Sequence, residues 1–83
     1  MDKKQIEQKI KEILADRLDI DINKIKLDSD LVDDLGMDSL GAVEVMYEIR
    51  EKFGVDIPES ELSGIEKVKD IVEYFRRTRN KKI

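Results

Sequence analysis

Residues 35–54 read LGMDSLGAVEVMYEIREKFG, and the spacing of their apolar residues decides the fold. At about 100° per residue, Ala42, Val45, Met46, Ile49 and Phe53 fall on one side of a helix running from Ser39 to Phe53, with Gly54 placed to stop it. Leu40, Val43 and Tyr47 fall on nearly the opposite side, edged by Glu44, Glu48 and Glu51. A helix in a small bundle needs only one buried stripe. The first stripe is therefore read as the core face. The second is either covered by another element or turned toward a partner, as apolar anchors ringed by charge.

Upstream, Ile6, Ile10, Ile13, Leu14 and Leu18 recur at helical spacing, which predicts a first amphipathic helix over residues 3–18. From Asp19 to Asp38 the apolar residues lose their period and stand among acids and turn formers. A connection of this length is uncommon inside a compact domain and tends to be functional. Its aliphatic residues predict an ordered loop pinned to the core, with one helical turn near Asn23–Lys26. Downstream, Val55–Pro58 reads as extended, because Ile57 precedes proline and is pushed out of the α region. A short third helix is expected over Glu59–Leu62. A fourth, from Glu66 to Arg77, carries Val68, Ile71, Val72 and Phe75 on one face. The expected fold is all-α, a four-helix bundle with a long first loop and a short third helix. It forms one domain over residues 1–83, with 76–83 as a basic, flexible tail.

Composition narrows the chemistry. The chain has no cysteine and no histidine. A thiolate metal site is thereby excluded, and so is the usual base beside a nucleophilic serine. Neither an enzyme nor a metal protein is expected. The net charge of −4 is unevenly spread. Eight acids lie between Asp28 and Glu51 against the single base Arg50, whereas Arg76–Lys82 holds five bases and no acid. The acidic middle argues against nucleic acid and for a basic protein partner. The N-terminal residues carry no signal-peptide pattern and no run is long enough to span a membrane, so a cytoplasmic location is expected.

Ser39 opens the central helix. It can act as an N-cap, although Asp38 competes for that role and would free the serine hydroxyl. A calcium loop starting at Asp28 fails, since its sixth position is Asp33 rather than glycine and its twelfth is Ser39 rather than glutamate. The remaining reading is covalent attachment. A phosphodiester at a helix N-terminus is stabilised by free N–H groups and the positive end of the macrodipole, and Gly36 allows a tight turn just before it.

The stretch DLGMDSLGAVEVMYEIREKFGVDIP, residues 34–58, resembles the signature of acyl carrier proteins, and the similarity extends over nearly the whole chain. The resemblance implies that Ser39 carries 4′-phosphopantetheine, added by a phosphopantetheinyl transferase. The arm would supply the thiol that the chain lacks, and acyl intermediates would be held on it as thioesters. They would be presented to fatty-acid or related lipid biosynthetic enzymes with basic docking surfaces. It further implies that Asp38, Leu40, Val43, Glu44, Tyr47 and Glu48 face those partners, with Ile57, Glu59 and Glu61 at the far edge. The protein would be a monomer without membrane insertion, and the bundle interior would shelter the acyl chain. Gly41 stands where an acid is common in this family, and glycine there costs about 1 kcal/mol of helix stability against alanine. Arg50 interrupts the acidic face. These departures leave open a carrier dedicated to D-alanine, polyketides or lipopolysaccharide acylation, and, from a different class, a helical adaptor without the arm.

Overall fold

The computed structural model describes residues 3–54, 57–62 and 64–80. Among the described residues there are four α-helices, α1 (Lys3–Leu18), α2 (Ser39–Phe53), α3 (Glu59–Leu62) and α4 (Val68–Asn80), with a 3-10 turn at Ile22–Lys24 in the long loop. The all-α architecture, the long first loop and the short third helix match the sequence reading. Val55 and Asp56, expected to be extended, lie outside the described residues.

α1 packs against both α2 and α4. It buries Ile6, Ile10, Ile13 and Leu14, the spacing of three and four that keeps one face inward. The helix ends where Asp19 takes a left-handed conformation, φ 56°, and the Ile20 N–H donates to the Ala15 carbonyl at 3.1 Å. Aspartate tolerates this region better than most residues, and the bond satisfies an orphan carbonyl of the last turn. α2 contributes Val45, Ile49 and Phe53, and α4 contributes Val68, Ile71, Val72 and Phe75. The Phe53 and Phe75 rings stack with centroids 4.9 Å apart, tying the end of α2 to the middle of α4.

The long loop is held by its backbone as well as by its apolar anchors Ile25 and Leu31. Residues 27–31 run alongside the start of α4. The Leu31 N–H donates to the Glu66 carbonyl, the Val68 N–H to Ser29 and the Lys69 N–H to Leu27, at 2.9–3.1 Å. Asp30 and Lys67 form an antiparallel bridge at the centre of this seam. Sequence periodicity gives no sign of the seam, because it uses main-chain groups of residues whose side chains do not alternate. The Asp30 carboxylate accepts the N–H groups of Val32 and Asp33, and the Asp34 carboxylate accepts that of Asp30. Part of the acidic run is thus turn architecture rather than free surface charge.

α4 starts two residues later than its periodicity suggests and continues three residues further. The late start has a local cause. Asp70 reaches back to accept the N–H groups of Glu66 and Lys67, both at 2.9 Å, so those residues cap the helix instead of joining it. At the other end, the helix continues through Arg76 and Arg77 to Asn80, and cations in a last turn suit the negative end of the macrodipole. Of the expected flexible tail, residues 76–80 are therefore helical and 81–83 lie outside the described residues.

Burial pushes the Asp70 carboxyl up, but the two backbone N–H groups, with Lys69 and Lys67 nearby, outweigh it and hold the pKa below the ordinary aspartate value. A folded-state pKa below the unfolded one means that the native state binds fewer protons. The stabilisation is present above the unfolded value, about 3.9, and is lost as pH falls through the lower folded value. Asp70→Asn should cost about 1 kcal/mol at pH 7. Denaturant titrations should show parent and variant converging as the pH is taken below about 4. A constant gap down to the acid limit would show that the charge of Asp70 is not what caps α4.

Candidate functional site at the head of the second helix

The N-terminus of α2 resolves the competition between Asp38 and Ser39. Asp38 has extended backbone angles, φ −107° and ψ −173°, and its Oδ1 accepts the Gly41 N–H at 2.7 Å. Its carbonyl accepts the first intrahelical bond, from the Ala42 N–H at 2.8 Å. Asp38 is the cap. Ser39 is the first helical residue and is exposed, and its hydroxyl has no hydrogen-bond partner among the described residues. The chain enters this point through Gly36, whose φ of 72° is the left-handed turn expected of a glycine there.

Gly41 is not simply a weak helix former. It is buried at the junction of α2 with the end of α1. A Cβ there would lie 3.2 Å from the Asp38 Oδ1, 3.3 Å from Leu18 Cδ2 and 3.4 Å from Met37 Cγ. The bare backbone lets α2 approach Leu18 while Asp38 keeps its capping bond. The propensity lost at this position is offset by closer packing.

The two apolar stripes of α2 separate as their angles predict. Val45, Ile49 and Phe53 are in the core, and Ala42 and Met46 are partly buried beside them. Leu40, Val43 and Tyr47 are 68, 65 and 58 % exposed, so no other described element covers the second stripe. Val32, in the loop before Ser39, is also open to solvent at 59 %. The sequence reading passed over it because a lone valine in an aperiodic segment carries no directional signal.

The other expected site residues are distributed unevenly. Glu44 is exposed, as is Glu61 on α3. Glu48 is not a free charge. Its carboxylate accepts a short hydrogen bond from the Arg17 guanidinium of α1 and lies 3.7 Å from Lys52 Nζ. The hydrogen bond from Arg17 holds the Glu48 carboxyl below the usual glutamate range, against the opposing effect of partial desolvation. Arg17 is raised in turn by the same bond. Arg17 is a participant that sequence reasoning missed, since an ion pair between helices 31 residues apart leaves no local pattern. Ile57 corrects the expectation placed on it. Its side chain is 7 % exposed and packs in the core cluster, so it offers little surface to a partner. The Glu59 side chain lies outside what is described.

Beneath α2, Val45, Val68 and Ile71 have no exposed surface and Ile49 is 1 % exposed. Among the described residues, no helix is long and apolar enough to cross a membrane.

Comparison with known proteins agrees with this geometry. Residues 8–75 match the family described as the phosphopantetheine attachment site. An acyl carrier protein of Rickettsia bellii (strain RML369-C) is 46 % identical over 71 residues, covering 86 % of this chain and 83 % of that one. One from Clostridium acetobutylicum is 41 % identical over 69 residues, covering 83 % of this chain and 90 % of its own. One from Campylobacter hominis is 32 % identical over 78 residues, covering 94 % and 99 %. A match of this extent, on a helical fold whose long loop leads into an exposed serine at the head of α2, means that the chain belongs to the acyl carrier protein family and bears its phosphopantetheine attachment domain.

Proposed function

We propose that Ser39 is the residue that carries 4′-phosphopantetheine, and that the outward stripe of α2 is where partner enzymes dock. One observation carries the reading. Asp38 takes the capping bond, which leaves the Ser39 hydroxyl exposed and without a hydrogen-bond partner among the described residues at a helix N-terminus. A phosphodiester formed there lies beside the free N–H groups of the first turn, where negative charge is favoured. In the transfer, the Ser39 oxygen bonds to phosphorus and displaces the nucleotide from the donor's pyrophosphate. The hydroxyl proton passes to a base on the transferase, since this chain has no histidine to receive it. The bound arm supplies the thiol on which acyl groups are held as thioesters. The chain itself contributes the anchoring oxygen, the helix terminus and the docking face, and it is a carrier rather than a catalyst.

The partners are a phosphopantetheinyl transferase and acyl-handling enzymes of fatty-acid or related lipid synthesis, in the cytoplasm. Their contacts on this chain are Leu40, Val43 and Tyr47 as apolar anchors, with Asp38, Glu44 and Glu61 as surrounding charge. The direct test is intact mass followed by peptide mapping after incubation with a transferase and coenzyme A. One phosphopantetheine increment should appear, on Ser39 and not on Ser29, Ser60 or Ser63. An increment on any other serine overturns the assignment.

Charge should act on encounter more than on the bound state. Glu44 makes no ion pair among the described residues, so reversing it disturbs no structural contact. Glu44→Lys should slow loading of Ser39 at low salt and leave the circular dichroism spectrum unchanged. The gap should narrow at physiological ionic strength, where screening acts beyond about 8 Å. Rates indifferent to both charge and salt would mean that docking is apolar alone.

A further inference from the structure

Three acids edge the outward stripe of α2, and they are not equivalent. Glu44 and Glu51 are exposed and make no ion pair among the described residues. Glu48 is engaged by Arg17, which comes from the last turn of α1. The pair sits at the solvent boundary, with the Arg17 and Glu48 side chains 36 and 18 % exposed. Arg17 also lies within the field of Glu44, one helical turn before Glu48, so its charge acts on the acidic rim itself. On the far side of the stripe Arg50, at helical spacing beside Val43, is exposed. The apolar anchors are therefore bracketed by two cations, one on α2 and one brought in by the fold.

We infer that Arg17, held in place by Glu48, is a specificity-determining residue of the docking face: it sets a fixed positive charge on the acidic rim and disfavours partners that present a uniformly basic surface. The inference rests on the reading of the α2 stripe as the docking face. A basic partner approaching the rim meets the Glu44 and Glu51 carboxylates, but Glu48 is held by the short bond from Arg17 and, more loosely, by Lys52 at 3.7 Å on its own helix, so reaching it means displacing Arg17 first. Displacement breaks a charge-assisted bond and leaves a guanidinium facing like charge. A partner that fits the exposed Leu40, Val43 and Tyr47 side chains loses less, because apolar contact is indifferent to that charge. A planar, delocalised and permanently ionised guanidinium suits the role, since no change of pH within the physiological range removes its charge. As a surface pair it adds little to the fold, so its clearest consequence is in recognition.

The test is the rate of Ser39 loading by a phosphopantetheinyl transferase with a basic docking surface and coenzyme A, followed by intact mass. Parent, Arg17→Gln, Arg17→Lys and Lys24→Gln are compared. Lys24 lies in the 3-10 turn of the loop, outside the docking face, and its loss changes net charge by the same amount. Arg17→Gln should raise kcat/KM about 3- to 10-fold at low ionic strength, through KM rather than kcat, with the gain shrinking as salt is added. Arg17→Lys should stay near the parent rate, and Lys24→Gln should change it less than about twofold. An Arg17→Gln protein no faster than Lys24→Gln, or a gain independent of salt, overturns the inference while leaving the carrier reading intact. A parent protein that never gains mass at Ser39 overturns the carrier reading and this inference together.

Discussion

Ser39→Ala should abolish every phosphopantetheine increment while leaving the unfolding curve within about 0.5 kcal/mol of the parent. Both halves follow from the division of labour at the head of α2. If Ser39 were the cap, its removal would cost stability as well as loading. Asp38 holds that bond instead, with its Oδ1 at 2.7 Å from the Gly41 nitrogen. Asp38→Ala should therefore be the destabilising substitution of the two, by about 0.5–2 kcal/mol. It should also slow loading if Ser39 is the acceptor, since Asp38 is the residue next to its hydroxyl. Intact mass reads the first effect and denaturant melts the second. A Ser39→Ala protein that unfolds as readily as Asp38→Ala would mean that the serine shares the cap, and that its hydroxyl is not set aside for attachment.

The second large effect separates the two faces of α2. Ile49 is 1 % exposed and lies among the core residues of α1, α2 and α4. Ile49→Ala should cost about 2–5 kcal/mol, as lost transfer energy plus the cavity left behind. That is a large share of the total for a domain of this size. Val43 is 65 % exposed on the opposite side. Val43→Ala should stay within about 0.5 kcal/mol in stability, yet weaken binding to an acyl-handling enzyme by about 1 kcal/mol or more if Val43 is one of the anchors. Urea titration and binding measurements on the same two proteins make the comparison. Equal losses of stability would place both residues in the core. Equal and negligible losses of binding would remove the stripe from the docking face.

What could be read in the chain and what could not divide along a physical line. Helical periodicity is a local property, repeated every 3.6 residues. From it the extents of α1 and α2, the buried set Val45, Ile49 and Phe53, and the exposed set Leu40, Val43 and Tyr47 were all legible before any coordinates. The loop motif preceding Ser39 was equally legible, because glycine, aspartate and serine each act within a few residues of where they stand. Features that join distant segments were not. Leu27–Leu31 pairs with Glu66–Lys69 through main-chain groups that every residue possesses, so no residue type announces it. Asp70 is the exception, a local cap that the periodicity reading did not weigh: it moved the start of α4 by accepting the N–H groups three and four residues upstream. Gly41 read as a defect until the approach of Leu18 and Met37 gave a reason for its missing Cβ. Ile57 was assigned to the surface by its place in a motif, whereas packing against the core cluster buries it to 7 % exposure. Glu48 read as a free charge until the packing of α1 against α2 set Arg17 beside it. The sequence by itself determined which helices form and which faces are apolar, since those depend on neighbours in the chain. Which charges remain free, which side chains have room and where the loop is fastened depend on neighbours in space, and only the tertiary structure decided them.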